Sequence, residues 1–538
     1  MKIPMHQIAG ISKLVQDYFA DYDKVAEFYN GDYRNAGTFF THANELRQRS
    51  LAIEELVAIL AEQNKTFGCG HQTIDKIALL QKGACAVVTG QQTGLFGGPL
   101  FTIYKALTAI KLSERLSRTC DDCFVPVFWL ASDDHDFREV NHCIITDKSN
   151  ALKRITYSGH HEDSHLPISD IILNDSIAEA LKELEDNTHP TEFKSAVMSV
   201  LSAAYQPGGS FSTGFALWIM QLFKAFGLIV IDGSDARLKS LSSGLFRQEV
   251  EENSPSTLQG QKISEKLIKA GYHNQVNIGD GFLNLFYIEH ERQSIQHVDD
   301  LYTLKRSGKK ISKTEISKLL RDNPEAFSPN VLLRPLYQDT LLPTVAYVAG
   351  PAETAYYAQM KGIYHAFDIP MPIIYPRKSI TLLESKIEKV LDKYALKVTD
   401  LWGNIDTLIT DITKQQLPSD LEENLENTTS EMIKQFEIFE HTVIELDKSL
   451  ADTAKNIKSR IRGQMETMEK KILQAYKKRN DVMRQQIYKA QNSLNPNSQL
   501  QEREFNVIPY LFKYGFEFID RIYEAVDISD FEHQIIRI

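Results

Sequence analysis

The spacing of apolar residues changes several times along the chain, and its central part alternates short apolar runs with helical periodicity. The runs are CAVVTG (85–90), VPVFWLAS (125–132), GLIVIDGS (227–234), PTVAYVAG (343–350) and MPIIYPR (371–377). Between them, as in segment 99–116, apolar residues recur every three or four positions, which is typical of amphipathic helices. Continuous apolar strands that alternate with helices predict an α/β fold with a Rossmann-like, doubly wound parallel sheet.

The segments around these runs suggest how the core is organised. Residues 1–80 carry helical periodicity and predict a helical lead-in that packs on a core spanning 81–380. Two segments do not fit a bare sheet: about 150–225, which is mostly helical in pattern, and about 255–330, which contains a hairpin-like stretch. We interpret both as insertions between strands.

After the last apolar run the spacing becomes that of a coiled coil. One seam runs over 383–412 and a second, past Pro418, over 432–472, with apolar residues mainly three and four positions apart. Such seams predict two long helices folded back on each other, an antiparallel coiled coil over 381–495. We expect this arm to pair helices or to form a homodimer, and residues 496–538 to return to the core.

Composition excludes several classes of protein. A chain of 538 residues exceeds the roughly 250–300 at which single cores stop growing, so two or three folding units are expected. The net charge of -11 and the pI near 5.8 argue against broad nucleic-acid binding, which needs a basic face. The start lacks the apolar run of a secretory signal, and no run of about 18 apolar residues follows, so we expect a cytoplasmic protein without membrane contact.

Cysteine usage favours reduced thiols. The five cysteines are an odd number in a large acidic chain, which does not suit a disulfide framework. The CDDC stretch at 120–123 precedes an apolar run and has no second ligand pair at zinc-site spacing. We therefore expect no structural metal.

A glycine-rich turn follows the first predicted strand, in TGQQTGLFGGPLFTIYKAL (89–107). Strand, glycine-rich turn and helix form the context in which backbone N–H groups hold an anion, and ligands bind at the carboxyl ends of strands in open α/β sheets. The turn therefore predicts a phosphate or carboxylate site. The alternative is that Gly90, Gly94, Gly97 and Gly98 only permit a tight turn.

An acidic cluster follows the second strand, in SDDHDFREVNH (132–142). Aspartates around His135 are the residue types that acid–base chemistry requires, and they could hold Mg²⁺ if a nucleotide binds here. The alternative is a solvated acidic turn.

Polar residues also follow the last two strands, in RPLYQDTLLP (334–343), AGPAETAYY (349–357) and YPRKSIT (375–381). Arg334 and Arg377 could pair with carboxylates or phosphates, or they could be ordinary surface charge. The lysine-rich KKISKTE (309–315) precedes the fourth strand, so we interpret it as a hairpin and a helix start capped by Ser312.

These segments resemble the bacillithiol biosynthesis cysteine-adding enzymes, a cysteine ligase family. The resemblance rests on TGQQTGLFGGPLFTIYKA, on VPVFWLASDDHDFREVNH, on the stretch from LLRPLYQDT to YPRKSITLLE, and on QEREFNVIPYLFKYGFEFIDRIY (501–523). It covers essentially the whole chain. It implies a class I aminoacyl-tRNA synthetase-like core, a coiled coil, a homodimer, and a reaction that joins L-cysteine to glucosaminyl malate.

Amide formation needs an activated carboxyl group, so the resemblance implies ATP or ADP as the nucleotide, with Mg²⁺ as a possible companion. Asp134, His135 and Asp136 would orient or deprotonate the attacking amine. The implied substrate- or nucleotide-binding residues are Gly90, Gln91, Gln92, Gly94, Gly98, Thr102, Lys105, Asn141, His142, Arg334, Gln338, Gly350, Glu353, Tyr356, Arg377 and Ser379. Lys105 could equally be a surface residue.

The sequence departs from the family pattern at two points and leaves alternatives open. GLFGGP stands at the HIGH-type turn without a histidine, and Ser132 and Asp133 replace the residues that relatives commonly carry before DHDF. The nucleotide could bind in the sheet crevice or at the junction with the coiled coil. Another ATP-dependent ligase on the same fold, or a catalytically silent coiled-coil scaffold, would also fit.

Overall fold

The computed structural model describes residues 1–120, 122–162, 164–298, 301–415, 419–479 and 481–538. Two compact units are present. The first comprises Met1–Leu382 and Gln501–Ile536, and the second comprises Leu383–Leu500 and Arg537–Ile538. The first unit is discontinuous in sequence, because its last segment follows the second unit. Asp121 of the CDDC stretch, and Pro418 between the two predicted seams, lie outside the described residues.

The strands of the described residues fall into four sheets. In chain order they are β1 (Lys2–Ile3), β2 (Cys85–Gln91), β3 (Phe124–Leu130), β4 (His142–Thr146), β5 (Leu152–Thr156), β6 (Ile229–Asp232), β7 (Phe282–Ile288), β8 (Arg292–Val298), β9 (Leu301–Leu304), β10 (Lys310–Ser312), β11 (Phe327–Pro329), β12 (Thr344–Ala349), β13 (Ile373–Pro376), β14 (Ile380–Leu383) and β15 (His533–Arg537).

The central sheet has the order β13-β12-β2-β3-β6, and all of its neighbouring strands are parallel. Each of the five predicted apolar runs supplies one of these strands. Every residue of β3 and β12 is buried, as expected for parallel strands covered on both sides. The predicted α/β class is therefore confirmed. Chain order reverses between β2 and β12, which places a ligand crevice at their carboxyl ends.

Helices accompany the sheet throughout the first unit. They are α1 (Lys13–Ala20), α2 (Ala36–Leu46), α3 (Ile53–Thr66), α4 (His71–Gln81), α5 (Leu100–Thr119), α6 (Phe137–Val140), α7 (Ser176–Asn187), α8 (Lys194–Ala204), α9 (Phe211–Phe223), α10 (Ala236–Leu241), α11 (Ser243–Glu251), α12 (Pro255–Lys269), α13 (Lys313–Asp322), α14 (Leu333–Leu341), α15 (Pro351–Tyr357) and α16 (Lys361–Ala366). Helix α5 packs on β2 and β3, α2 on β12, and α3 on β6. None of the helices described for this chain is both apolar enough and long enough for a membrane span.

The segment between β6 and β12 forms an antiparallel sheet of order β10-β9-β8-β7-β11. The hairpin-like pattern predicted strands here, and the structure confirms them. Ser312 and Glu315 form the predicted capping box at the start of α13. The segment before β6 contains α7, α8 and α9, as its helical pattern predicts, and also the β4–β5 hairpin, which it did not predict.

The second unit is helical, and its turns differ from those predicted. Its helices are α17 (Ser385–Lys393), α18 (Ile405–Gln415), α19 (Ser419–Leu446), α20 (Ala451–Arg479) and α21 (Asp481–Leu494). The prediction that residues 383–412 form one long helix is wrong. Ala395 has a positive φ of 52° and Val398–Trp402 is a 3-10 helix, so α17 and α18 are separate.

The predicted second seam is also interrupted. Asp447 ends α19 and accepts a hydrogen bond from the Ser449 backbone N–H at 2.8 Å, after which α20 begins at Ala451. Helices α19 and α20 pack against each other, and Lys458 of α20 pairs with Glu437 and Glu440 of α19. The long helical pair therefore turns at 447–450, within the predicted second seam. Leu446 and Leu450 keep coiled-coil spacing across this turn, which is why the apolar pattern concealed it.

The last segment returns to the first unit as α22 (Gln501–Glu504), α23 (Ile508–Tyr514) and α24 (Glu517–Ala525). Strand β15 then joins a small sheet of order β1-β15-β14. Both ends of the chain thus contribute to the same small sheet.

Candidate active site

A cavity of about 770 Å³ opens in the first unit at the carboxyl ends of β2, β3 and β12. This is the edge at which the chain order reverses and ligands bind in such sheets. The predicted site residues that line it are Gly90, Gln91, Gln92, Lys105, Asp134, His135, Arg334, Gly350, Glu353, Tyr356 and Arg377. The fold therefore brings predicted site residues from three separate segments of the chain into one cavity.

The glycine turn after β2 is closed by the C-terminal segment. Phe96, Gly97 and Gly98 all have positive φ, and a Cβ on Gly94 would lie 2.8 Å from the Gly98 Cα. The Leu100 N–H at the start of α5 donates to the Phe505 carbonyl at 2.7 Å. That donor is not free for an anion, so the tight-turn alternative describes this part of the motif better than an anion cradle.

Several predicted ligand-binding residues lie away from the main cavity. Gly94, Gly98 and His142 line a separate cavity of about 390 Å³. Thr102 and Asn141 are buried and line neither cavity. Gln338 and Ser379 are buried as well, and they hydrogen-bond Asp339 and Glu502. Asp136 is exposed outside the main cavity.

Lys105 is a structural cation in the cavity wall, not a surface residue. Its Nζ lies 2.7 Å from the Gly90 carbonyl, 3.0 Å from Gln91 Oε1 and 2.6 Å from Glu353 Oε2. An ammonium group has three N–H donors, so none remains for a ligand. Burial lowers the pKa of Lys105, against the effect of Glu353.

Glu353 is held in the same network. It accepts hydrogen bonds from the Gly350 N–H at 2.7 Å and from the Tyr347 hydroxyl at 2.8 Å. Burial alone would raise the pKa of Glu353, but Lys105 and the hydrogen bonds from Gly350 and Tyr347 together outweigh burial, and the pKa is lowered. The network ties the ends of β2 and β12 together, because Lys105 bonds the Gly90 carbonyl and Glu353 follows β12.

The aspartates of the acidic cluster after β3 have different partners. Asp133 pairs with the buried Lys239 at 2.9 Å. Asp134 accepts from Gln92 Nε2 at 2.7 Å and lies 3.4 Å from Arg292 Nη1. Burial raises the pKa of Asp134, but the charge of Arg292 and the hydrogen bonds from Gln92 and the His135 backbone N–H together outweigh burial and hold the pKa well below its ordinary value. Asp134 is therefore an ionised hydrogen-bond acceptor at neutral pH.

Both aspartates are thus already neutralised by protein cations. No group of three or more His, Cys, Asp or Glu side chains with metal-site geometry occurs in the described parts of the chain. A divalent ion bound tightly by protein ligands alone does not fit this arrangement, whereas Mg²⁺ carried mainly by nucleotide phosphates needs few protein ligands.

Sequence reasoning missed Arg292, which the antiparallel insertion brings to the cavity. Its Nε donates to Ser328 Oγ and its Nη2 to the Pro329 carbonyl, both at 2.9 Å. Its guanidinium carbon lies 3.8 Å from the centre of the Phe286 ring. The remaining Nη1 lies 2.9 Å from His135 Nδ1. No local motif marks Arg292, because only the fold of the insertion brings it to the end of β3.

The predicted arginines differ in how free they are. Arg377 makes a bidentate pair with Glu502, at 2.7 and 2.9 Å, and both side chains are at most 4% exposed. Arg334 contacts Gln338 Oε1 and the Tyr356 hydroxyl. Within the described ranges no carboxylate pairs with Arg334, nor with Arg503, which also lines the cavity. These two guanidinium groups leave the cavity with positive charge to offer a ligand.

Two protein-family models match this chain. The family model described as "Bacillithiol biosynthesis BshC, N-terminal Rossmann-like domain" matches residues 1–378, and the one described as "Bacillithiol biosynthesis BshC, C-terminal coiled-coil domain" matches residues 380–538. A crystal structure described as "putative arginyl t-RNA synthetase" from Campylobacter jejuni matches over 81% of this chain and 92% of its own, at 11% identity and a TM-score of 0.23.

Curated relatives named "Putative cysteine ligase BshC" match over nearly the full length. The Salinibacter ruber protein is 35% identical, over 99% of this chain and 98% of its own. The Desulforamulus reducens protein is 33% identical over 96% of each, and the Chloroherpeton thalassium protein is 33% identical over 99% of each. The resemblance found in the sequence is thereby confirmed. The chain belongs to the bacillithiol biosynthesis BshC family and is an enzyme of the ligase class.

Proposed function

We propose that this ligase forms the amide bond between the carboxyl group of L-cysteine and the amine of glucosaminyl malate, which gives bacillithiol. The relatives' name supports cysteine as one substrate. The observation that carries the proposal is the pair of guanidinium groups, Arg334 and Arg503, that line the main cavity without a carboxylate partner among the described residues. A malate dicarboxylate and a nucleotide phosphate are both anions that an arginine fork binds well.

The cavity has room for more than one of these reactants. Its volume of about 770 Å³ lies toward the upper end of the roughly 300–1,000 Å³ of small-molecule sites. The smaller cavity shares Gln91, Gln92 and Arg503 with it. Neighbouring sites for the two substrates, with the amine and the activated carboxyl facing each other, would convert a bimolecular step into one between bound groups.

Carboxyl activation requires an energy source, which we propose to be ATP. In the proposed reaction a carboxylate oxygen of cysteine attacks a phosphorus atom of ATP and displaces ADP or pyrophosphate. The amine nitrogen then attacks the activated carbonyl carbon, the C–N bond forms, and the phosphate-containing group leaves with the electron pair of its C–O bond. The proton that the nitrogen loses passes to solvent water. Arg334 would hold an anionic group, and Asp134 would accept a hydrogen bond from the attacking amine. The amine reacts in its neutral form, after its ammonium proton has passed to solvent water. The ionised Asp134 side chain, which is 34% exposed, would orient the neutral amine.

We also propose that the enzyme is a cytoplasmic homodimer that binds neither nucleic acid nor membrane. Large apolar side chains are exposed along α19 and α20 and would be covered by a second copy: Met432, Ile438, Phe439, Ile457 and Met468. Exposed apolar stripes of this kind usually mark protein interfaces.

The function is tested by incubating the purified enzyme with L-cysteine, glucosaminyl malate, ATP and Mg²⁺, and measuring bacillithiol by mass spectrometry. The informative variant is Arg334→Met. Its matched control is Arg306→Met, which removes an exposed guanidinium paired with Glu291. We expect Arg334→Met to raise the KM for glucosaminyl malate or ATP at least tenfold, since a charged hydrogen bond contributes about 1.5–3 kcal/mol, and the control to behave as wild type.

Deleting the gene in its host adds a test that does not depend on reconstituting the reaction. The proposal predicts accumulation of glucosaminyl malate and loss of bacillithiol, restored by the wild-type gene and not by His135→Ala. Unchanged thiols in the deletion strain would refute the proposed substrates and favour another amine acceptor or a scaffold role.

A further inference from the structure

The contact between Arg292 and His135 restricts what His135 can do. A guanidinium group has only N–H donors and stays charged at any physiological pH. Arg292 Nη1 lies 2.9 Å from His135 Nδ1, so Nδ1 must be the hydrogen-bond acceptor. In a neutral imidazole the proton is then on the other nitrogen, Nε2.

Arg292 cannot easily turn away from this contact. It is 7% exposed, and its other nitrogens bond Ser328 Oγ and the Pro329 carbonyl at 2.9 Å. The Phe286 ring covers its face. The guanidinium is therefore fixed by the insertion, with Nη1 aimed at the end of β3.

Asp134 would favour the opposite tautomer if Arg292 were absent. Its Oδ1 lies 3.5 Å from His135 Nδ1. A carboxylate beside Nδ1 usually accepts a hydrogen bond from Nδ1–H, which leaves Nε2 unprotonated and free to act as a base. Here Arg292 Nη1 is closer to Nδ1 than Asp134 is, and the carboxylate instead accepts from the His135 backbone N–H at 2.7 Å and from Gln92. Arg292 thus prevents the Nδ1–H tautomer, in which Nε2 would be the base.

We propose that Arg292 is a positioning residue that fixes His135 as the Nε2–H tautomer, so that His135 donates a hydrogen bond to an anionic oxygen of the bound reactants instead of accepting a proton. The inference rests on the proposed function for the identity of that oxygen: the carbonyl oxygen that becomes negative when the amine attacks, or an oxygen of the leaving phosphate. It narrows the role of the histidine from an undefined acid–base group to an electrostatic one.

Two substitutions at His135 separate a donor from a base. His135→Gln places an amide nitrogen the same number of bonds from the backbone as Nε2 and keeps the donor. His135→Asn places its amide at the level of Nδ1, so it can still accept from Arg292 but lacks the outer donor. Neither amide can take up a proton as a base.

The measurement is kcat/KM for amide formation by the full-length enzyme. We expect His135→Gln to remain within about tenfold of wild type and His135→Asn to fall by about 100-fold or more, as when an oxyanion donor is removed. Equal, large losses in both variants would overturn the inference, because a general base is lost equally in both. Arg292→Met should lower kcat/KM when it is made in the wild-type enzyme, and it should have little further effect when it is made in His135→Gln. Losses of kcat/KM that are fully additive in the double variant would also contradict the inference.

The tautomer itself is tested without any substrate. In ¹⁵N-histidine-labelled enzyme, with the His135 signals assigned by their loss in His135→Gln, long-range ¹H–¹⁵N spectra should show Nε2 protonated and Nδ1 bare. In Arg292→Met the proton should move to Nδ1, facing Asp134, whereas Arg306→Met should leave the wild-type pattern. A protonated Nδ1 in the wild type would overturn the inference. If the wild type forms no bacillithiol, the proposed function fails and the spectra alone decide the tautomer.

Discussion

Replacing Glu502 by leucine is expected to destabilise the first unit by about 4 kcal/mol. Glu502 accepts four hydrogen bonds: two from Arg377, one from the Ser379 hydroxyl and one from the Ile380 N–H. Its side chain is 1% exposed and that of Arg377 is 4% exposed. Removing one partner of a buried ion pair costs about 3–5 kcal/mol, because the remaining charge is left uncompensated, and the orphaned Ile380 N–H adds to that cost.

The assay is urea unfolding followed by tryptophan fluorescence, since Trp129 and Trp218 are both buried in the first unit. Glu524→Leu on α24 is the matched control, because Glu524 is exposed and surface changes are usually within about 0.5 kcal/mol. A Glu502→Leu protein whose unfolding free energy lay within about 1 kcal/mol of wild type would refute the reasoning, as it would show that the pair is dispensable.

The same pair predicts a pH dependence. Burial tends to raise the pKa of Glu502, but Arg377, His533 and the Ile380 N–H together outweigh burial, and the folded-state pKa is lowered. A carboxylate with a lowered pKa contributes stability that is present above its unfolded pKa of about 4.3 and is lost as pH falls through the folded value. The stability difference between wild type and Glu502→Gln should therefore be complete at pH 7 and shrink in strong acid.

Three further outcomes are expected. Burial raises the pKa of Glu249 to about 7, so the unfolded state ionises first and the unfolding free energy of the wild type should fall, by roughly 3 kcal/mol at most, as pH rises from about 4.3 to 7. In Glu249→Gln the unfolding free energy from urea titrations should vary less over this pH range. Parallel pH dependences in the two proteins would contradict this. Ser312→Ala removes the cap of α13 and should lower the unfolding free energy by about 1 kcal/mol, against no loss for Ser317→Ala within that helix. Dialysis against EDTA should leave the melting temperature unchanged but stop amide formation until Mg²⁺ is restored, whereas a lowered melting temperature would indicate a structural metal.

The sheet could be predicted because each of its strands is recorded locally in the sequence. A strand buried on both faces must be apolar throughout, and β3 and β12 are buried at every residue. Residues at the ends of parallel strands then share one edge without any knowledge of side-chain contacts. That rule alone placed Gln92, Asp134 and Glu353 in one cavity.

The role of each side chain was harder to predict, because it depends on partners that are distant in sequence. From the sequence, Lys105 could be either a surface lysine or a ligand-binding one. Only the contact with Glu353 of α15 shows that its N–H donors are used within the protein. The sequence allows Arg377 to pair with a ligand anion or to be surface charge, but in the structure Glu502, from the segment after the coiled coil, neutralises it. Charge compensation is a tertiary property, and spacing along one strand end does not encode it.

The return of the C-terminal segment explains why the glycine turn after β2 can adopt its shape. Phe96 has a φ of 55°, a left-handed conformation that costs a non-glycine residue of the order of 1 kcal/mol. Asn506, which is fully buried, donates from Nδ2 to the carbonyls of Phe96 and Gly98 at 3.0 and 2.8 Å.

The same segment also satisfies the start of α5, because the Phe505 carbonyl accepts from the Leu100 N–H. Two unfavourable features of the turn, a strained residue and unpaired backbone groups, are thus offset by residues some 400 positions later in the chain. Arg503, in the same short segment, lines the cavity that Gln91 and Gln92 line from the turn. The wall of the candidate active site is therefore built from two stretches of chain that the coiled-coil segment separates in sequence, and it is complete only with the stretch that follows the coiled coil.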